Sequence, residues 1–176
     1  MNRKERRRLK KVGRNDVLGN EGATFDVHAA LQQALPLLQA GRSRESLQLY
    51  RRVLKYYPDH ADALNLSGIA TFQLGNVERA LTLIRKALAV RPDHVDAHNN
   101  LGNMLKTLNR LDEAEAAYRR AIEIMPDYVG GHFNLAIVLE MMERLDESEA
   151  AYRHALTLNP DFAEACLNRG NVLNSM

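Results

Sequence analysis

The chain has 176 residues, of which 45% are hydrophobic and 6% aromatic, and carries a formal net charge of +2. It is long and apolar enough to fold as one domain, which excludes collagen-like, disulfide-rich and extensively disordered chains. Cys166 is the sole cysteine, so no internal disulfide is possible and a reducing, cytoplasmic setting is expected. The longest apolar run, Phe133 to Leu139, stops at Glu140 and is too short to span a bilayer. No hydrophobic run follows the basic first residues as a secretory signal requires.

The N-terminal arm comes first. From Met1 to Asn15, eight basic residues (Arg3, Lys4, Arg6, Arg7, Arg8, Lys10, Lys11 and Arg14) stand against Glu5, so the arm holds +7 and the remaining chain is mildly acidic. Residues 13–25 contain three glycines and no apolar periodicity, the composition of a linker. Residues 1–26 are therefore expected to form a disordered basic arm and linker. Residues 3–14 are expected to make at most weak, nonspecific contact with nucleic acid or an anionic membrane.

Beyond the linker the chain repeats. Pro58-Asp59, Pro92-Asp93, Pro126-Asp127 and Pro160-Asp161 recur every 34 residues. Proline ends one helix, and the aspartate after it is expected to accept hydrogen bonds from the first amides of the next. Each period is thus a helix pair, and the units fall at 27–60, 61–94, 95–128 and 129–162. Residues 163–176 supply one more helix, either a cap or the first helix of a fifth unit.

Aligned on one register, the eighth position is always small: Ala34, Gly68, Gly102, Ala136 and Gly170. Helices of a pair approach closely only where no bulky side chain intervenes. The large partners are Tyr50, Ile84, Tyr118 and Tyr152 at the twenty-fourth position. Leu37, Thr71, Leu105, Leu139 and Leu173 at the eleventh add to them. The turns carry Gly41, Gly75, Asn109 and Glu143; glycine and asparagine suit a left-handed helix end, whereas Glu143 is expected to close its helix by another route. Pro36 lies inside the first helix and is expected to kink or shorten it.

This pattern, with Leu101-Gly102, Ala114, Tyr118, Ala121 and Pro126 as its clearest instance, resembles the tetratricopeptide repeat. The resemblance covers residues 27–176. It implies an all-α, right-handed superhelix of four helix pairs plus one terminal helix, whose first helices line a concave wall.

The resemblance also indicates which positions face that wall. The sixth holds Gln32, Leu66, Asn100, Asn134 and Asn168; Asn65 and Asn99 occupy the fifth, and Asn103 and Asn171 the ninth. An asparagine amide offers one acceptor and two N–H donors, matching the two polar groups of any peptide unit. Asn65, Asn99, Asn100, Asn103, Asn134, Asn168 and Asn171 are therefore the expected peptide-binding residues, although the same amides are equally suited to tie adjacent helices together. The row at Asn100, Asn134 and Asn168 is similar to that of O-linked N-acetylglucosamine transferase repeats, where asparagines grip substrate backbone. Repeats that clamp chaperone tails need Lys or Arg at the second, fifth or sixth positions, and the complete units have none, which argues against that ligand.

Apolar residues, Leu31, Leu35, Leu38, Leu66, Ile69 and Phe72 at one end and Phe133, Ile137 and Met141 further on, would suit an amphipathic partner but are individually expected to be core. The acids and arginines of the second helices, such as Asp112, Glu113, Arg119 and Arg120, read as a solvated convex face. His60 and His94, or His98 and His132, lie one repeat apart but lack the further ligands of a zinc site. No metal, cofactor or catalytic constellation is expected, and Cys166 is expected to be a small buried hydrophobe. The expected function is a non-enzymatic, cytoplasmic scaffold that binds an extended peptide or partner segment in its concave groove. The alternative is the substrate-recruiting module of a glycosyltransferase or sulfotransferase whose catalytic domain lies outside this chain.

Overall fold

The computed structural model describes residues 16–18 and 24–176. The cationic arm, residues 1–15, lies outside the described residues. Two short strands, β1 (Asp16–Leu18) and β2 (Thr24–Asp26), pair antiparallel with Val17 opposite Phe25. The stretch read as a linker thus contains ordered backbone pairing, and the fold begins before Val27. Phe25 explains the early start: its ring stacks on Tyr56 with centroids 4.9 Å apart, and Arg52 sits 5.2 Å above its face.

Nine helices follow among the described residues. They are α1 (Val27–Gln39), α2 (Ser43–Tyr56), α3 (Ala61–Gln73), α4 (Val77–Val90), α5 (Val95–Thr107), α6 (Leu111–Ile124), α7 (Val129–Met141), α8 (Leu145–Leu158) and α9 (Ala163–Ser175). Each even-numbered helix packs on the first helix of its own pair and on that of the next, so the core is a continuous seam. The expected all-α superhelix of four pairs and one terminal helix is the observed fold.

The seam is built from small residues facing large ones. A Cβ added at Gly102 would lie 2.5 Å from the Tyr118 ring, and one at Gly68 would lie 2.8 Å from Ile84. Ala34 and Ala136 sit in the same core clusters as Tyr50 and Tyr152. Ile84 and the three tyrosines are fully buried.

Three local expectations need correction. The helix caps are not the aspartates of the Pro-Asp pairs but the residues after them: His60 caps α3, its Nδ1 accepting from the Ala63 amide at 3.3 Å. Asp59 stays in the turn and pairs with Lys86 Nζ at 3.3 Å. Of the two effects expected of Pro36, shortening does not occur: α1 has 13 residues like α3. Pro36 lies on the exposed side of the helix, where water can reach the carbonyl that its ring leaves without a donor.

Glu143 is the third correction. It adopts the left-handed conformation itself, at φ 60°, as Asn109 does at 57°. The Arg144 amide then caps the Leu139 carbonyl at 2.9 Å, the same closure that Gly41 gives α1 through Arg42 and Leu37 at 2.8 Å. For a side chain with a Cβ this backbone costs about 1–2 kcal/mol, and glycine returns part of the relief as chain entropy. Glu143→Gly is therefore expected to stabilise the fold by roughly 0.5–1 kcal/mol, read as an upward shift of the urea midpoint at unchanged slope.

Candidate functional site

The asparagine positions of α3, α5 and α7 come together as pairs. Asn100 Nδ2 donates to Asn65 Oδ1 at 3.1 Å, and Asn134 Nδ2 donates to Asn99 Oδ1 at 2.9 Å. Each bond joins the sixth position of one unit to the fifth position of the unit before it. The fifth-position members, Asn65 and Asn99, are buried, while Asn100 and Asn134 are half-buried. Each of these two sixth-position amides therefore gives one N–H to its neighbour and keeps a second N–H and its carbonyl for other partners.

The other asparagines are placed differently. Asn103 Oδ1 accepts from the Tyr118 hydroxyl at 2.8 Å. Asn168, half-buried on α9, lies beside the Tyr152 hydroxyl, which donates to Glu140 Oε2 at 3.1 Å. Asn171 is exposed. The Tyr118–Asn103 and Tyr152–Glu140 bonds, each joining the two helices of a pair, escaped sequence reasoning. The signal for them was present, since tyrosine at position twenty-four coincides with a polar residue at position nine or twelve.

Tyr50 lacks such a partner. Its unit has Leu35 and Leu38 at those positions, so its buried hydroxyl makes no hydrogen bond, and burial pushes its pKa up to about 12. Burial also pushes the Tyr118 and Tyr152 hydroxyls up. Removing an unpaired buried hydroxyl is favourable, whereas removing a paired one strands its acceptor. Tyr50→Phe is thus expected to stabilise the protein and Tyr118→Phe to destabilise it, each by about 1 kcal/mol. Melting temperatures moving in the same direction would contradict this account.

The apolar positions are largely core. Leu38 and Phe133 are buried, Leu31, Leu66, Ile69, Phe72 and Ile137 half-buried, and only Leu35 and Met141 of that set are exposed. Cys166 is exposed, which corrects the expectation of a buried thiol. The equivalent position on α7, His132, is covered by the second helix of its own pair, with its ring 4.2 Å from that of His154; α9 has no such helix among the described residues. For the same reason Leu167 and Leu173 stand exposed, while Val172 packs into the preceding pair.

The charges of the second helices pair on the outer surface. Arg144 joins Glu147 at 2.7 Å and reaches the previous unit at Glu115, 2.6 Å away. Arg144 and Glu115 are half-buried, whereas Glu147 is exposed, and a pair with an exposed member mainly keeps the surface solvated. Among the described residues no group of three or more His, Cys, Asp and Glu could hold a metal ion. A cavity of about 410 Å³ opens between α6, α7 and α8, floored by Ile122, Leu135 and Leu139 and rimmed by Arg119, His132 and His154. None of the asparagines lines it.

Two histidines make stability depend on pH. Burial lowers the pKa of His94, assisted by Arg91, although Asp62 Oδ1 lies 3.2 Å from its Nε2 without the alignment of a hydrogen bond. Burial also lowers His132, whose Nε2 sits 2.8 Å from the Pro126 carbonyl. Both rings are harder to protonate in the fold than in the unfolded chain, so the unfolded chain binds more protons between the lowered values and the ordinary one. Their contribution is complete above the ordinary histidine value of about 6.5 and is lost as the pH falls through the lowered folded values. Calorimetry is expected to give a lower melting temperature at about pH 5 than at about pH 7.5, with the difference reduced in His94→Gln.

The helices, caps and tyrosine–small contacts define a solenoid of helical hairpins in which asparagine pairs join successive first helices. Tetratricopeptide repeat models match residues 31–89, 66–129 and 129–162, and the chain belongs to the tetratricopeptide repeat family. PilF of Pseudomonas aeruginosa superposes with a TM-score of 0.80 at 24% identity, covering 85% of this chain and 68% of that one. The tetratricopeptide protein TTC0263 of Thermus thermophilus gives 0.76 at 24% identity, covering 84% and 81%. The first such domain of Spaghetti (RPAP3), bound to the HSP90 peptide SRMEEVD, gives 0.63 at 19% identity, covering 65% and 91%. These likenesses establish the fold. No curated protein matches the chain.

Tetratricopeptide proteins are protein-interaction scaffolds. No catalytic domain accompanies the repeats among the described residues, and none of their helices is long and apolar enough to cross a membrane.

Proposed function

We propose that the chain is a protein-interaction scaffold that holds an extended peptide along the inner wall of its first helices. The observation that carries this reading is the paired amide ladder. Asn100 and Asn134 are each fixed by one bond to Asn65 and Asn99, which orients the remaining N–H and carbonyl before any ligand arrives. Preorganised amides lose little freedom on binding and match successive peptide units whatever their side chains. Asn103, Asn168 and Asn171 extend the row.

The asparagine row also supports a second reading, in which the groove recruits substrate for a transferase domain outside this sequence, in the manner of the O-linked N-acetylglucosamine transferases that Asn100, Asn134 and Asn168 resemble. In both readings the groove does the same chemistry. An exposed Cys166 suits a reducing, cytoplasmic setting in either case.

The test is selection of a random linear dodecapeptide library on the full chain. Side-chain amide resonances of the seven asparagines are then followed by NMR as a selected synthetic peptide is added. Shifts concentrated at Asn100, Asn134 and their neighbours are expected. Shifts confined to the cavity between α6, α7 and α8 would overturn the reading, as would a library from which nothing is enriched.

A further inference from the structure

The cavity between α6, α7 and α8 has no part in the groove reading, because no asparagine lines it. Its volume of about 410 Å³ falls in the range of ligand pockets. Ile122, Leu135 and Leu139 make its floor apolar, and Ala150 and Ala151 leave room in the α8 wall. The charges around its mouth already have partners. Arg119 reaches Glu115 at 2.8 Å and crosses to Glu147 at 3.4 Å, while Glu123 holds Arg120 at 2.8 Å. A charged ligand loses water here and gains no free counter-ion, so the cavity favours an uncharged one.

His132 supplies a directional polar group. It is buried and lines the cavity. Its Nε2 lies 2.8 Å from the Pro126 carbonyl, so Nε2 carries the ring hydrogen and Nδ1 is left as an acceptor. No donor among the described residues reaches Nδ1, yet solvent does, and the cavity is the opening that this ring borders. At pH 7.5 the ring is uncharged, since burial lowers its pKa from 6.5. The exposed ring of His154 stands against it, with centroids 4.2 Å apart and planes tilted by 48°.

We propose that this cavity is a second docking site, on the side of the second helices, that seats the ring of a tryptophan or tyrosine side chain of a protein partner. The floor takes the ring, and His132 Nδ1 accepts from its N–H or O–H. The paired ions form a polar rim, the surroundings in which a single buried aromatic anchors an interface. An aliphatic side chain or a phenylalanine covers the floor but leaves Nδ1 without a donor. The site works independently of the asparagine row.

The chain contains no tryptophan, so indole emission in a titration comes from the added probe alone. N-acetyl-tryptophanamide is expected to bind the full chain at pH 7.5 with a Kd of about 0.1–1 mM. NMR shifts should appear at His132, Leu135, Ala150 and Ala151 and leave Asn100 and Asn134 still. Methylating the indole nitrogen of the probe, which removes the donor, is expected to weaken binding about three- to tenfold. Indole should bind more tightly than indole-5-carboxylate. Ala150→Leu fills the cavity from an exposed helix position and is expected to weaken binding more than tenfold, whereas Ala116→Leu, at the matching exposed position of α6, leaves it unchanged. Should Ala150→Leu fail to fold, the wild-type shift map decides. A tryptophan within a chain, in acetyl-Gly-Gly-Trp-Gly-Gly-amide, is expected to bind within about twofold of N-acetyl-tryptophanamide. Binding of indole without binding of that peptide assigns the cavity to a small molecule and overturns the partner. Shifts away from the cavity, an N-methyl probe that binds as well as its parent, or a carboxylate that binds better than indole also overturn the proposal. Each of these outcomes leaves the groove reading standing, since that reading is decided by the asparagine shifts with a library peptide.

Discussion

Tyr118→Ala is expected to lower the unfolding free energy by about 3–5 kcal/mol, a large share of what a domain of this size possesses. The ring is fully buried, packs onto the backbone at Gly102 and belongs to a cluster with Leu81, Ile84, Leu105 and Leu139. Its loss leaves a cavity that a helix pair cannot close, because Gly102 has no side chain to move into it. The Asn103 carbonyl also loses its donor. Since each hairpin is stabilised by its neighbours, a defect in the third of four pairs weakens the coupling on both sides. Urea unfolding followed by circular dichroism should therefore show a lower midpoint together with a broadened transition. A loss below about 1 kcal/mol would mean that the seam relaxes around the cavity and that the tyrosine is not its fastener.

The same contact shows how far the sequence could be read. A tyrosine or isoleucine set against a glycine or alanine every 34 residues implies two helices at close approach, and Gly102 with Tyr118 meets that requirement. Helix pairing, register and the boundary near residue 162 all follow from that period. The details that stayed hidden depend on distances that letters do not carry. Asp59 and His60 are both able to cap a helix, and only the turn geometry assigns the role to His60. Glu143 looked unsuited to a left-handed turn, yet the closure of α7 by Arg144 and Leu139 imposes it. Cys166 sits at a position that is interior in other units, and it is exposed here because its covering helix is missing among the described residues. The asparagine row was visible as a spacing, but the choice between tying helices and gripping a ligand was not. The observed geometry gives the Asn100 and Asn134 amides one helix-tying bond each and leaves a second N–H and the carbonyl outside that bond.

That division governs the second large effect. Asn100→Ala with Asn134→Ala is expected to reduce affinity for a selected peptide about a hundredfold, taking each amide as about tenfold. Helicity should persist, but the fold should also lose about 1–3 kcal/mol per site, since the Oδ1 atoms of buried Asn65 and Asn99 are left without donors. A weakened array could bind poorly for that reason alone, so a second variant is required. Replacing both members of each pair with leucine, at Asn65, Asn99, Asn100 and Asn134, removes the stranded acceptors together with the donors, a change that is close to neutral for stability. If the amides grip the peptide, this quadruple variant regains its melting temperature and stays weak in calorimetric titration. If they only bind helix to helix, affinity returns along with stability, and the ladder leaves the recognition mechanism.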